Sequence, residues 1–259
     1  MSQSPVLEAT FIHAPTIGRA TELRLWQDGI HDWGQYLSLS QNELPLSEMQ
    51  YTALTPVIEE SVKRLDDEDY AWFAKHLEPA EHWRAVPSFG HRIAFVDIET
   101  TGGMDAEDLT LIGVFDGRTM HHFVKGENLE EFPESIEDSA ILVTFFGTGF
   151  DLPFIRRVFP SLKMPQLHVD LCYLLRRLGY RGGLKKIETQ LGIGRTNETT
   201  GLGGMDAVRL WFEYQNGNLH SREVLMQYNA EDVRNMSALL TIGFKKMEHH
   251  IRTGIDLRG

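Results

Sequence analysis

Cysteine is almost missing. Cys172 stands alone among 259 residues, so an internal disulfide framework and any multi-cysteine zinc or iron–sulfur site are excluded, and the thiol is expected to pack as a small hydrophobe. No apolar run approaches the roughly 18 residues of a membrane span. The first 25 residues also lack a basic start followed by an apolar stretch. A soluble, cytoplasmic protein with no membrane partner is therefore expected. Internal repeats and low-complexity tracts are absent as well. Positive charge is scarce, with 25 Lys and Arg against 37 Asp and Glu and a net charge of −12, which argues against a protein that coats nucleic acid through cationic excess.

What is present is a globular composition, 42% hydrophobic, and an uneven distribution of charge. Residues 1–90 carry a net −8, residues 91–150 −9, residues 151–200 +5 and residues 201–259 zero. One block of an acidic chain is basic.

Hydrophobic periodicity predicts three regions: a helical N-terminal region over 1–89, an α/β domain over 90–246, and a C-terminal tail over 247–259. Thr16-Ile17-Gly18 and Gly29-Ile30 frame two short helices between Phe11 and Leu37. Only these turns suggest a helix-hairpin-helix whose backbone N–H groups grip a phosphate, and a structural cap fits them equally well. The acidic run Asp66–Asp69 reads as a solvated face or a helix start. After Pro87-Ser88-Phe89-Gly90 the pattern becomes strand-like. Ile93–Val96 is an apolar strand, and Leu109–Phe115 and Thr119–Val124 form a hairpin through Asp116-Gly117. Leu129–Asp138 is helical, Ala140–Phe146 a buried strand, and Phe150–Phe159 helical with Pro153 in its first turn. Asp170 is placed to cap a helix reaching Leu178, Gly183 and Gly192 bound another, and the last long helix spans Ser221–Lys246. Antiparallel strands followed by helical crossovers give a mixed sheet flanked by helices.

The candidate site is made of carboxylates. Asp97 and Glu99 end the first strand and, by its period of two, project from one face. Like charges so close call for a cation or a proton between them. Asp151 starts a helix after the Gly147-Thr148-Gly149 turn, where the helix dipole favours an acid. Tyr228 and Asp232, four apart, share one face of the last helix. Each feature is ordinary by itself, and their order along the chain is the signal.

Asp97-Ile98-Glu99-Thr100-Thr101-Gly102, Phe146-Gly147-Thr148-Gly149-Phe150-Asp151 and Tyr228-Asn229-Ala230-Glu231-Asp232 together resemble the three motifs of the DEDD superfamily of 3′-to-5′ exonucleases, tyrosine subclass. Within it the chain is most similar to the YprB-like ribonuclease-H-like group, through His168-Val169-Asp170-Leu171, Gly182-Gly183-Leu184-Lys185-Lys186 and Leu191-Gly192-Ile193 as well. One departure stands out, because Phe146 occupies the place where that group usually has Asn. The resemblance implies a mixed five-stranded ribonuclease-H-like sheet flanked by helices. It also implies two Mg²⁺ or Mn²⁺ ions held by Asp97, Glu99, Asp151 and Asp232, with Tyr228 orienting the attacking water. Substrate would be the 3′ end of single-stranded DNA or RNA.

For substrate contact the candidates are Thr100 and Thr101 through their backbone N–H groups, Lys185 and Lys186 on phosphates, and Phe146 stacking on a base. Plain turn chemistry, solvated helix faces and a buried extension of the Ile141–Phe145 strand are the respective alternatives. His168 reads either as support for a metal or as a core histidine, Glu231 as a solvent-facing neighbour of Asp232, and His249-His250 as too short for a metal site. Two other functions compete with the exonuclease, a catalytically weak nucleic-acid-binding module on the same fold and a hydrolase of small nucleotides.

Overall fold

The structure is a computed structural model and describes residues 4–253. The chain divides into two compact units. One takes the chain up to His91, Gln166–His168 and the chain from Phe244, and the other takes Arg92–Pro165 and Val169–Gly243.

The first unit is helical. It contains α1 (Arg19–Gln27), α2 (Trp33–Leu37), α3 (Glu48–Asp66), α4 (Tyr70–His76) and α5 (Val86–Phe89). The caps are local chemistry: the side chains of Asp32, Ser47 and Asp69 accept from the backbone N–H groups of Gln35, Gln50 and Trp72. Within the acidic run, Asp66 closes α3 and Asp69 caps α4 while pairing with Arg64 at 2.8 Å. At the turn after α1, Gly29 takes a left-handed φ of 86°, and the N–H groups of Gly29 and Ile30 donate back to the carbonyls of Trp26 and Leu25. Those donors are already engaged, so this turn is a helix cap and does not offer them to a phosphate. The core of the unit holds a charged cluster. Arg84 donates to both carboxylate oxygens of Glu22, at 2.9 and 3.0 Å, and to Glu81 at 2.7 Å, with all three side chains buried.

In the second part of the chain come β1 (Ile93–Thr100), β2 (Leu109–Phe115), β3 (Met120–Val124), α6 (Phe132–Ile136), β4 (Ile141–Thr144), α7 (Asp151–Val158), β5 (Leu167–Asp170), α8 (Leu171–Arg177), α9 (Leu184–Leu191), α10 (Gly204–Gln215) and α11 (Leu219–Thr253). The sheet is five-stranded in the order β3-β2-β1-β4-β5. β1 is antiparallel to β2, β2 is antiparallel to β3, and β1 is parallel to β4, giving the expected mixed sheet flanked by helices. Alternation along β1 sorts its side chains. Ala94, Val96 and Ile98 pack with Phe132, Ile136, Phe154 and Ile155 of α6 and α7, each such burial stabilising by roughly 1.5–3 kcal/mol for a large side chain. The opposite sheet face carries Leu111 and Val124 against Ala207, Leu210 and Trp211 of α10 and Leu225 and Tyr228 of α11. Asp97 and Glu99 belong to that second face.

Two helical features differ from the sequence reading. α10 was not foreseen, because its start lies in the glycine-rich stretch 201–204. α11 continues past Lys246 into the expected tail as far as Thr253, and the rest of that tail, 254–259, lies outside the described residues. Gly243 is an interior residue of α11: a Cβ there would lie 2.7 Å from Leu174 Cδ2, so the glycine admits a neighbouring helix and does not stop its own. Among the described residues no helix is long and apolar enough to cross a membrane.

A candidate metal centre on the central strand

β1 delivers Asp97 and Glu99 to one face, and its pairing with β2 slips between Glu99 and Thr100, a bulge that turns the strand end. α11 meets that face with Tyr228, Asn229 and Asp232. One ligand oxygen from each of Asp97, Glu99 and Asp232 lies within 4.8 Å of the others, the only such acidic group among the described residues. Asn229, fully buried, donates its amide to Asp97 Oδ2 at 3.0 Å, to the Asp97 carbonyl at 3.4 Å and to Glu99 Oε1 at 3.5 Å. It can do so because Gly113 stands opposite Asp97 in β2, where a Cβ would fall 1.8 Å from Asn229 Oδ1.

Asp151 is set slightly apart. It begins α7, is 3% exposed, and its Oδ1 accepts the backbone N–H of Ile98, between the two strand acids, at 3.1 Å. Burial pushes Asp97 well up from the usual carboxylate range, and the negative charges of Asp151, Asp232 and Glu99 push it further. Burial and Asp232 raise Glu99 to about 8, and burial raises Asp151 to about 7. Asp232 is raised by burial even though Arg195 opposes the shift. Four acids so close, three buried and Asp97 partly so, therefore cannot all ionise without added positive charge. The donor set consists of carboxylate oxygens, which hard divalent cations such as Mg²⁺ or Mn²⁺ prefer, so the residues present fit such ions.

Tyr228 lies beside them, its phenol held far above its usual range by burial and then by Asp232, Glu99 and Asp97. Lys185 Nζ donates to its Oη at 2.5 Å, lies 4.1 Å from its ring centroid and also reaches the Leu202 carbonyl. Lys185 is thus turned inward onto Tyr228, whereas Lys186 is exposed. The loop between α9 and α10 is tied down around this pair. Arg195 bridges Glu188 and Asp232, and Glu231 accepts from Thr196 N–H at 3.2 Å and from the Thr199 hydroxyl. Glu231 is consequently a loop anchor and not the solvent-facing side chain expected.

Other expectations are corrected too. The Thr101 N–H is already engaged, donating to the Asp108 carbonyl at 2.8 Å, while the Thr100 hydroxyl accepts from Gly102 N–H and Thr100 lines the cavity beside the acids. His168, in β5, donates its backbone N–H to His82 Nδ1 at 3.1 Å and takes no part in the acidic group. Asp170 caps α8 through Cys172 N–H as foreseen, and it also accepts from Phe146 N–H at 2.9 Å and Thr148 N–H at 3.1 Å. Phe146 does not extend β4 into the core. The strand ends at Thr144, Phe146 adopts a left-handed φ of 63°, and its ring is 45% exposed. Its neighbour Phe145 lines the site instead.

The acids open onto two adjoining cavities that share Asp97, Tyr228, Asp232 and Gly204. One, of about 510 Å³, extends past Glu99, Thr100 and Met104 to Met205, and the other, of about 320 Å³, passes Phe145 to Lys185 and Lys186. Sequence reasoning missed Asn229, Gly113, Glu188 and Arg195. The first could have been read from its place inside the Tyr228–Asp232 segment, and the others have no local signal.

A family model described as the RNase_H superfamily matches residues 94–242. Among solved structures, the family B DNA polymerase of the hyperthermophilic archaeon Pyrobaculum calidifontis is similar at 18% identity with a TM-score of 0.44, over 64% of this chain and 26% of the polymerase chain. Comparison with curated proteins gives no match.

Proposed function

The chain belongs to the RNase_H superfamily over residues 94–242, and from that premise we propose that it is a metal-dependent 3′-to-5′ exonuclease of the DEDD tyrosine subclass, in the YprB-like group, acting on single-stranded DNA or RNA. The observation that carries this reading is the convergence of Asp97, Glu99 and Asp232 within 4.8 Å beside Tyr228, with Asp151 bonded to the strand between the first two. Two Mg²⁺ or Mn²⁺ ions, when bound, would activate water and stabilise the leaving oxygen. Asp97, Glu99 and Asp232 would hold them, with Asp151 in support. Burial and the neighbouring carboxylates hold the Tyr228 phenol above its usual range, so its role is to orient the water and not to remove its proton. Lys185 fixes the phenol in that orientation.

The direction of attack rests on the order of the three motifs and is tested by labelling. 5′-labelled single-stranded DNA and RNA are incubated with Mn²⁺, with free and with blocked 3′ ends. A ladder shortening from free 3′ ends alone is expected. Equal rates on blocked ends would mean an endonuclease, retention without hydrolysis a binding module, and cleavage of mononucleotides alone a small-nucleotide hydrolase.

Tyr228→Phe should slow hydrolysis roughly ten- to a thousandfold, the span of one positioned hydrogen bond. Mn²⁺ affinity should be unchanged by calorimetry, and a collapse of affinity would reassign Tyr228 to holding the site together.

One residue past Phe145, which lines the site, begins an exposed shelf. The Phe146 ring is tilted against Tyr173, itself 42% exposed, at 6.3 Å, and Arg176 covers Tyr173 at 5.4 Å. Asp170 holds the strained Phe146 backbone, and Gly149 leaves room for the ring, since a Cβ there would lie 2.8 Å from it. A base of the incoming strand would stack on this shelf. Phe146→Leu should then keep the melting temperature and raise KM for oligonucleotides about tenfold, within the worth of one stacked base. A mutant that melts lower with KM unchanged would make Phe146 a packing residue.

A further inference from the structure

Arg195 lies in the basic block, yet it is turned into the protein. Its Nε and one Nη donate to the two oxygens of Glu188, each at 2.7 Å, and the same Nη pairs with Asp232. Glu188 is also held by Asn235 Nδ2 at 3.0 Å, and all three charged side chains are nearly inaccessible. The other Nη of Arg195 is buried with no hydrogen-bond partner. A guanidinium kept in the interior with a donor unmet is not optimised for hydrogen bonding, so its charge is what the arrangement preserves.

Arg195 alone would be enough to neutralise Asp232. Glu188 on α9 adds a second buried carboxylate that touches no other acid of the site, and its effect is to take back part of what Arg195 supplies. We propose that the Glu188–Arg195 pair sets the divalent-cation affinity of the carboxylate site through Asp232. This rests on the metal-site reading above. A fixed positive charge one carboxylate away opposes an incoming cation, and a negative charge behind it weakens that opposition. Arg195 also limits the rotation of Asp232, but one side chain's rotamer freedom is a smaller quantity than a unit charge a few ångströms off in a partly buried site. Charge therefore decides the sign of each substitution. Both residues act by positioning and tuning a ligand and touch neither substrate nor ion.

The test is Mn²⁺ titration of the full chain, with free ion followed by electron paramagnetic resonance and folding followed by circular dichroism. Arg195→Met is expected to lower Kd about tenfold or more and Glu188→Gln to raise it by a similar factor, as befits loss of opposite unit charges close to the ion. The double variant Arg195→Met with Glu188→Gln, which restores the balance, should return to within about threefold of the parent, because the two unit-charge effects cancel. Where Arg195→Met alone fails to fold, Glu188→Gln and the double variant carry the same test of sign. Both single variants binding more weakly, and the double more weakly still, is the behaviour of a purely structural brace and overturns the inference while leaving the metal site intact. A parent protein that binds no Mn²⁺ overturns the metal-site reading and this inference together.

Discussion

Asp97→Ala is expected to lower turnover on a 3′-hydroxyl oligonucleotide by at least about a thousandfold, because it removes the ligand at the centre of the proposed metal site. Asp97 is the acid that the others surround. Its pKa is pushed up by burial first and then by Asp151, Asp232 and Glu99, and its Oδ2 is the oxygen that Asn229 grips at 3.0 Å. Removing it takes away an oxygen donor and leaves the Asn229 amide without its nearest partner, while the strand hydrogen bonds of β1 persist. The folded protein should survive, since one buried like charge is relieved by the change. Initial rates and Mn²⁺ titration on a variant with parental circular dichroism decide the matter. Near-parental turnover in a folded variant would remove Asp97 from the site.

The second large effect is on stability and lies in the helical unit. Arg84→Met should destabilise the protein by roughly 3–5 kcal/mol, the cost of leaving the buried Glu22 carboxylate without its cation. Glu81 keeps Arg19 as a second cation, whereas Glu22 leans on the Arg84 guanidinium at 2.9 and 3.0 Å, and its Oε1 accepts only the Phe11 N–H at 2.9 Å besides. Neither acid can turn to water, as both are almost wholly inaccessible. Urea denaturation followed by far-ultraviolet circular dichroism measures the loss. A midpoint within error of the parent would show that the cluster rearranges and that Arg84 is replaceable.

How much of this was legible beforehand depends on where the signal is stored. Asp97, Glu99, Asp151, Tyr228 and Asp232 were readable because strand and helix periods fix which face each occupies, and because their order along the chain narrows the chemistry. Asn229 sits inside the same segment but carries no charge, so nothing in composition marks it. Glu188 and Arg195 are brought to Asp232 by the packing of a loop between two helices, an arrangement with no sequence period. Phe146 was misread because the apolar run continues past the point where β4 ends, and the end is imposed by Asp170 binding the backbone of residues 146 and 148 from 22 to 24 residues away. Gly243 shows the same limit: glycine near a helix end is locally a stop signal, whereas here it admits Leu174 and Leu175. Hydrophobic patterning reaches the first four strands and a mixed sheet, the fifth strand enters only with the family resemblance, and much of what escaped is set by one side chain reaching across sequence distance.

Gly113 carries no functional group and lies in the middle of an apolar strand, where a survey of substitutions would be expected to report tolerance of any small side chain. The space beside it is already taken by Asn229 Oδ1. Even alanine would have to push α11 or the amide away from Asp97, so the position would score with the acids in an activity screen and with the core in none of its chemistry. Whatever residue evolution or design tries on that strand, the reach of one asparagine across the sheet limits it to hydrogen.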